Sequence, residues 1–497
     1  MISSERVRRT VVGVIGALLL AVAFPRVGAA WCAPLGAAAL FWSWQGASWR
    51  AAFARGWLAG LVFFTISFWW WSNTIQADVG VLAYVAVVAA AALEALTFGA
   101  AGALAVVAHR RAPAALAPLA AAAAFAALEW MRSIGTLGVP FAQLGTTQAD
   151  TALRVLAAYV GTNGVTLAIC IVAAYAADAF ERRSWRACAL AAASVVAATV
   201  VAWLAWPARS VPPPTIPVAA VQGNIAQTLK WQPGALQEAI ARYTQMTATT
   251  DRFAPRLIVW PETVIADRYG LNRDPQLLAR FARLAADAHG TIIAGSIDVH
   301  AERVYNGLYF IDGSGLQTIY DKRQLVPFAE SFPGHQFLWW LPYVGELSGN
   351  FTPGTDPGVY PTQAGLRVGP MICWESAFGD LGYQQVRDGA QLLVISTDDA
   401  WFGTTSGPYQ HAQIAQMRAV EFGTYVVRAA ATGISGIIAP DGRWQTKLPL
   451  ETQGVVEGRV GPPVGSVFAH IGPTNVWLAT LALYALLVLV ARRGRDA

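Results

Sequence analysis

Seven apolar stretches crowd the first 206 residues of this chain, and an eighth returns just before the C-terminus at residue 497. They cover residues 10–24, 29–44, 57–71, 81–107, 114–130, 153–179, 187–206 and 476–490. A bilayer core asks for a helix of roughly 20 apolar residues, because in lipid a helix satisfies its own backbone amides. The spacing therefore predicts eight membrane-spanning helices, a few of them shorter than that length. Composition agrees, since 55% of the residues are hydrophobic, 13% are charged and the mean hydropathy is +0.42. Such a chain is too apolar for an ordinary soluble protein. Arg6, Arg8 and Arg9 precede the first stretch as they would in a leader, but no small-residue cleavage site ends it and further spans follow at once. It reads as a retained helix.

Short loops rich in Lys and Arg stay on the cytoplasmic side. With the N-terminus inside, Arg50 and Arg55, Arg110 and Arg111, the Arg182, Arg183, Arg186 group and the Arg492, Arg493, Arg495 tail all fall inside. The stretch 72–80 has no basic residue and falls outside, whereas Arg132 and Arg154 flank the other outer loop against the trend. Seven spans before residue 208 then place the following polar segment outside the cytoplasm. The net charge of +5 and the pI near 9.1 belong to these loops, so no nucleic-acid partner is expected.

The expected layout is a seven-helix membrane domain over 1–207, an extracytoplasmic globular domain over 208–474, and a last transmembrane helix with a cytoplasmic tail over 475–497. Prolines in 211–217 open the second part, where a helix would not continue. Within it, strand patterns at 218–222, 257–260, 291–296, 305–311, 366–372, 392–396, 425–429 and 434–439 alternate with helical ones at 235–250, 275–288 and 409–421. That alternation predicts an α/β core.

Cys32, Cys170 and Cys188 lie in or beside apolar stretches, but Cys373 stands alone in the polar half, directly after a strand-like run. A free thiol is most often a core residue. Here two other signatures accompany it: Trp260-Pro261-Glu262-Thr263, and Tyr320-Asp321-Lys322 running on through Leu325-Val326-Pro327-Phe328-Ala329 to Glu330. With Cys373-Trp374-Glu375 they bring a carboxylate, an amine and a thiol to the ends of different strands. These three groups suffice for acyl transfer: the carboxylate takes the thiol proton, the thiolate attacks and the ammonium stabilises the oxyanion. Alone, Glu262 or Lys322 would read as one half of a surface ion pair.

At these residues the chain resembles the nitrilase superfamily, whose Glu-Lys-Cys triad sits on an αββα sandwich. The added helices make it similar to the apolipoprotein N-acyltransferase family. Further matching stretches are Lys230-Trp231, Asp399-Ala400-Trp401-Phe402-Gly403, the run from His411 through Arg418-Ala419 to Glu421, and Thr432-Gly433-Ile434-Ser435. Ala329, Trp374, Asp398, Thr424 and Ala431 depart from the usual pattern without touching the triad.

The resemblance implies a fatty acyl transfer from a membrane phospholipid to the free N-terminal α-amine of a diacylglyceryl apolipoprotein, in the bacterial inner membrane. It implies Cys373 as nucleophile, Glu262 as base, and Lys322 with the Trp374 backbone N–H as oxyanion donors. Glu330 and Glu375 would orient Lys322 or hold the amine, in an undivided pair of roles. No cofactor or metal is implied, and His335 and His411 stand too far from other ligand types to suggest one. Trp231 and the run 337–341 with Trp339 and Trp340 read equally as lipid contacts, since Trp favours the membrane interface, or as apolar plugs of the soluble core, and Trp401 is a further candidate substrate contact. A membrane-tethered amidase using water is the rival enzyme. A transport or lipid-binding protein is the rival outside enzymology, supported only by Glu94 and Glu129 in or near the spans.

Overall fold

The computed structural model describes residues 4–206, 213–250, 252–267, 269–331 and 351–493. The first part is helical: α1 (Ser4–Ala23), α2 (Cys32–Trp44), α3 (Trp49–Ser67), α4 (Trp71–Val79), α5 (Leu82–Arg111), α6 (Ala117–Met131), α7 (Ala157–Arg182) and α8 (Arg186–Ala205). Among the described residues three helices are long and apolar enough to cross a membrane, Leu82–Arg111, Ala152–Arg182 and Arg186–Ala205, and Ala117–Met131 and Pro473–Leu489 are shorter apolar ones. One expectation is corrected: the stretch 72–80, read as a loop, is mostly α4. No Gly or Pro interrupts it until Gly80, which ends the helix at φ 56.

Small residues let these helices approach closely. A Cβ on Gly56 of α3 would stand 2.3 Å from the Phe98 carbonyl oxygen of α5. Helix α7 breaks at Gly161, whose φ of 68 and ψ of 176 only glycine adopts readily. The break frees the Thr162 N–H, and Glu421 from the second half of the chain accepts it at 2.7 Å along with the Thr162 hydroxyl at 2.6 Å. A carboxylate of one half thus caps a helix of the other, as N-terminal amides favour.

The second half is a sandwich of two six-stranded sheets. One runs β12 (Gly454–Val460), β1 (Ile216–Gln222), β2 (Leu257–Val259), β3 (Thr291–His300), β4 (Arg303–Asp312), β5 (Gly315–Asp321). The other runs β11 (Trp444–Lys447), β10 (Gly436–Ile438), β9 (Tyr425–Ala430), β8 (Leu392–Thr397), β7 (Arg367–Ile372), β6 (Tyr360–Pro361). Strands β1, β2 and β3 are parallel to their neighbours in that series, as are β7, β8 and β9.

Period-two alternation builds the layers. Val218 and Ala220 of β1 face the second sheet in a core shared with Val368, Leu392 and Val427. Ala219 and Val221 instead face helices α9 (Ala235–Ala248) and α10 (Pro275–Asp287), packed with Tyr243 and Phe281. On the far side, α11 (Gly379–Arg387) and α12 (Gly407–Phe422) cover the second sheet, where Phe422 meets Met371 and Leu393. This is the expected αββα order. Strands β5, β6, β11 and β12 add to the expected set and close the sheet edges.

Candidate active site

The C-terminal ends of parallel strands converge on one point, the usual place for a site in such sheets. Glu262 lies just past β2, Cys373 directly follows β7, and Lys322 follows β5. The Glu262 loop is pressed onto β3, where a Cβ on Gly295 would stand 2.3 Å from the Pro261 carbonyl oxygen. Cys373 itself takes φ 50, a left-handed conformation costly for a side-chain-bearing residue, at the start of the 3-10 turn Cys373–Ala377.

Lys322 Nζ lies 3.1 Å from Glu262 Oε1 and 2.8 Å from Glu330 Oε1. Asn306 on β4 ties the two carboxylates together, donating to Glu262 Oε1 at 2.7 Å and Glu330 Oε1 at 3.0 Å. Glu262 Oε2 accepts the Asp398 backbone N–H at 2.8 Å, so both carboxylate oxygens are held. Burial pushes the Glu262 carboxyl up, but the Lys322 and Lys230 ammonium groups outweigh it and leave the group below its ordinary value. For Lys322 the balance is similar: burial disfavours its charge, yet Glu262, Glu330 and Cys373 hold it well above the usual lysine range. The Cys373 thiol is raised by burial and by the Glu262 charge, with Lys322 opposing. At neutral pH the site therefore rests as carboxylate, ammonium and neutral thiol.

The two supporting glutamates separate. Glu330 touches Lys322, and its other oxygen accepts the Val326 N–H at 2.8 Å. Glu375 does not reach Lys322 Nζ by any ion pair; it accepts backbone N–H groups of Ile372 at 2.7 Å, Arg323 at 2.7 Å and Gln324 at 3.2 Å, and the Tyr320 hydroxyl at 2.9 Å. It pins the residue before Cys373 to the residues after Lys322, fully buried.

Trp374 is buried against the membrane half, its ring stacked on Phe141 at 5.0 Å and 6.4 Å from Trp71. Trp401 is 46% exposed on the turn Asp399–Phe402, and Phe402 packs edge-on to Trp70 at 4.6 Å. Trp231 is 38% exposed, next to Lys230, which bonds Asp398 Oδ2 and Thr263 Oγ1, both at 2.5 Å. Trp339, Trp340 and His335 lie outside the described residues. His411 is not isolated: it sits beneath Cys373 in a buried network with Asp399 and Arg428.

Sequence reasoning missed Asn306, Phe141 and that network. Asn306 had a signal, a lone amide in the apolar strand 304–311. Phe141 had none, because its partner is distant in the chain.

The chain matches the carbon-nitrogen hydrolase family model over residues 217–463 and the apolipoprotein N-acyltransferase N-terminal domain model over residues 16–175. It is 33% identical over 469 residues to the apolipoprotein N-acyltransferase of Rhizobium leguminosarum, covering 89% of this chain and 86% of that one. The Methylococcus capsulatus enzyme of the same name is 32% identical over 499 residues, with 97% and 96% covered. That of Caulobacter vibrioides is 33% identical over 469 residues, with 90% and 86% covered. A nitrilase-type sandwich joined to this N-terminal helical domain, at such identity over nearly the full length, means that the chain belongs to the apolipoprotein N-acyltransferase family.

Proposed function

We propose that the protein transfers a fatty acyl chain from a membrane phospholipid to the N-terminal α-amine of a diacylglyceryl-cysteine apolipoprotein, through a thioester on Cys373. The observation that carries this reading is the ion cluster of Glu262, Lys322 and Glu330 gathered at the strand ends where Cys373 follows β7, in a chain of this family. Glu262 takes the Cys373 proton as the sulfur attacks the ester carbonyl. Lys322 and the Trp374 N–H face the oxyanion, and the first amides of a helical turn have no partner within the turn. On collapse, Glu262 returns the proton to the glycerol oxygen and a lysophospholipid leaves. In the second half the amine attacks the thioester, its proton passes to Glu262, the C–S bond breaks, and Glu262 hands that proton to the departing sulfur, which restores both the thiol and the carboxylate. Glu330 and Asn306 hold Lys322 and Glu262 in register through both halves.

Both substrates are lipid-anchored, which gives the helical half a role: it brings the bilayer to the mouth of the site. The same reading has eight spans, a catalytic domain over 208–474 on the periplasmic face of the inner membrane, and Trp231, Trp339, Trp340 and Trp401 as lipid contacts.

Incubation with phospholipid alone, followed by mass spectrometry, tests the chemistry. One acyl group should appear on Cys373 with one lysophospholipid released per enzyme, and a diacylglyceryl peptide with a free amine should discharge it. An acetylated peptide should not. Steady release of free fatty acid without acceptor would instead favour the amidase-like hydrolase.

A further inference from the structure

A second charged cluster lies under the nucleophile and takes no part in the triad. Arg428 Nη2 is 2.7 Å from Asp399 Oδ2, and Asp399 Oδ1 is 3.0 Å from His411 Nδ1 and accepts the Thr397 hydroxyl at 2.9 Å. On its other side, His411 Nε2 lies 3.1 Å from the Cys373 carbonyl oxygen and 2.7 Å from Ser376 Oγ. Ser376 Oγ is itself 2.8 Å from that carbonyl. The side chains of His411, Asp399 and Arg428 are all 0% exposed. A Cβ on Gly433 would stand 2.2 Å from Asp399 Oδ2, so the backbone there closes directly over the carboxylate.

Counting hydrogens decides the state of His411. A neutral imidazole has one N–H and one lone pair. With the proton on Nδ1, toward Asp399, the Nε2 lone pair faces the Cys373 carbonyl oxygen, and the single Ser376 hydrogen cannot serve both. With the proton on Nε2, the Nδ1 lone pair faces an ionised carboxylate, because Asp399 is held below its ordinary value despite burial by Arg428 and His411. Either neutral form leaves a short contact between lone pairs in a buried place, which is costly. The doubly protonated ring satisfies every contact: Nδ1–H to Asp399, Nε2–H to the carbonyl and Ser376 Oγ, and the Ser376 hydroxyl to the carbonyl.

We propose that His411 is a positioning residue carried as an imidazolium, braced by Asp399 and Arg428, that grips the Cys373 carbonyl and holds the nucleophile in its left-handed turn. This rests on the reading of Cys373 as nucleophile. The charges that face the ring are those of Asp399 and Arg428, with the Cys373 thiol on the elbow above, and the rings of Phe141 and Phe402 flank it at 5.7 and 6.1 Å. Burial and the Arg428 guanidinium oppose the second proton and hold the ring below the ordinary imidazole range against Asp399 and the Cys373 carbonyl; what places the proton on the ring is the set of short contacts to Asp399, the Cys373 carbonyl and Ser376.

The test is ¹⁵N NMR of the full-length protein in lipid nanodiscs with its six histidines labelled. H411Q removes the resonance to be assigned; S376A, which keeps the ring, shifts it and serves if H411Q does not fold. At pH 7 both His411 ring nitrogens should show protonated shifts, and a nitrogen bearing a lone pair would overturn the proposal. This readout does not depend on turnover, so it stands apart from the transferase assignment. In acylation by phospholipid, H411L should slow Cys373 by about tenfold or more, and H411Q, a neutral donor, should recover only part. Wild-type rates in H411Q would show that the charge is not needed.

Discussion

Phe141, in the loop after α6, stacks on Trp374, the residue that follows Cys373, with ring centroids 5.0 Å apart and planes at 21°. Arg132 shapes that loop by donating to the carbonyls of Val139, Phe141 and Ala142 at 2.6 to 2.8 Å. The helical half therefore bears on the backbone amide proposed to receive the oxyanion. Phe141 is fully buried. Phe141→Ala should cost about 3–5 kcal/mol of stability by the cavity it leaves, and it should slow acylation by lipid more than Phe141→Leu does. Thermal unfolding and adduct formation, measured on both variants, check the order; equal acylation in the two would separate the stack from the chemistry.

The triad is tested by two substitutions. Cys373→Ser should form no acyl-enzyme, because a hydroxyl has no accessible anion near neutral pH. Lys322→Arg should also fail: a planar guanidinium does not fit the point between Glu262 and Glu330 that an ammonium fills. Intact-mass analysis after lipid incubation reads both.

Glu330 and Glu375 should give different defects. Glu330→Gln weakens the grip on Lys322 and should lower the acylation rate with little change in Tm. Glu375→Gln replaces an acceptor of three backbone amides and a hydroxyl with a group that has one acceptor oxygen, so it should lower Tm as well as activity, at about 1.5–3 kcal/mol per charged hydrogen bond lost. Equal Tm values for the two variants would contradict the division of roles.

Asp321, just before Lys322, is pushed up to about 7 by burial and by the Asp298 charge. Its carboxyl is thus easier to protonate folded than unfolded, and the stability this contributes is present at low pH and lost as pH rises through 7. Asp321→Asn should leave Tm unchanged near pH ~4, where the unfolded carboxyl also titrates, and raise it increasingly toward pH 8. A Tm difference that does not vary with pH would contradict this.

A reporter fused near Pro213 should be extracytoplasmic and one fused after Arg495 cytoplasmic. Finding both on one side would change the number of spans and the side on which Cys373 works.

Much of this protein was legible in one dimension because the signals are local. Apolar runs mark helices, Val218 to Gln222 alternates as a strand buried on two faces, and Glu262, Lys322 and Cys373 each sit in a short signature. What only the tertiary structure decided are relationships between distant residues. Glu330 and Glu375 look alike in sequence, and their roles part only when Lys322 falls within reach of one and the Arg323 amide within reach of the other. Glu421 became a cap because Gly161 broke a helix some 260 positions earlier, leaving an amide that needed an acceptor. Phe141 carries no local mark, and His411 lies in a matching run that says nothing of its contact: their partners, Trp374 and the Cys373 carbonyl, are set by how the helical half and the second sheet pack around one turn. Periodicity reports the face a residue presents; which polar group waits on that face is settled only when the chain closes on itself.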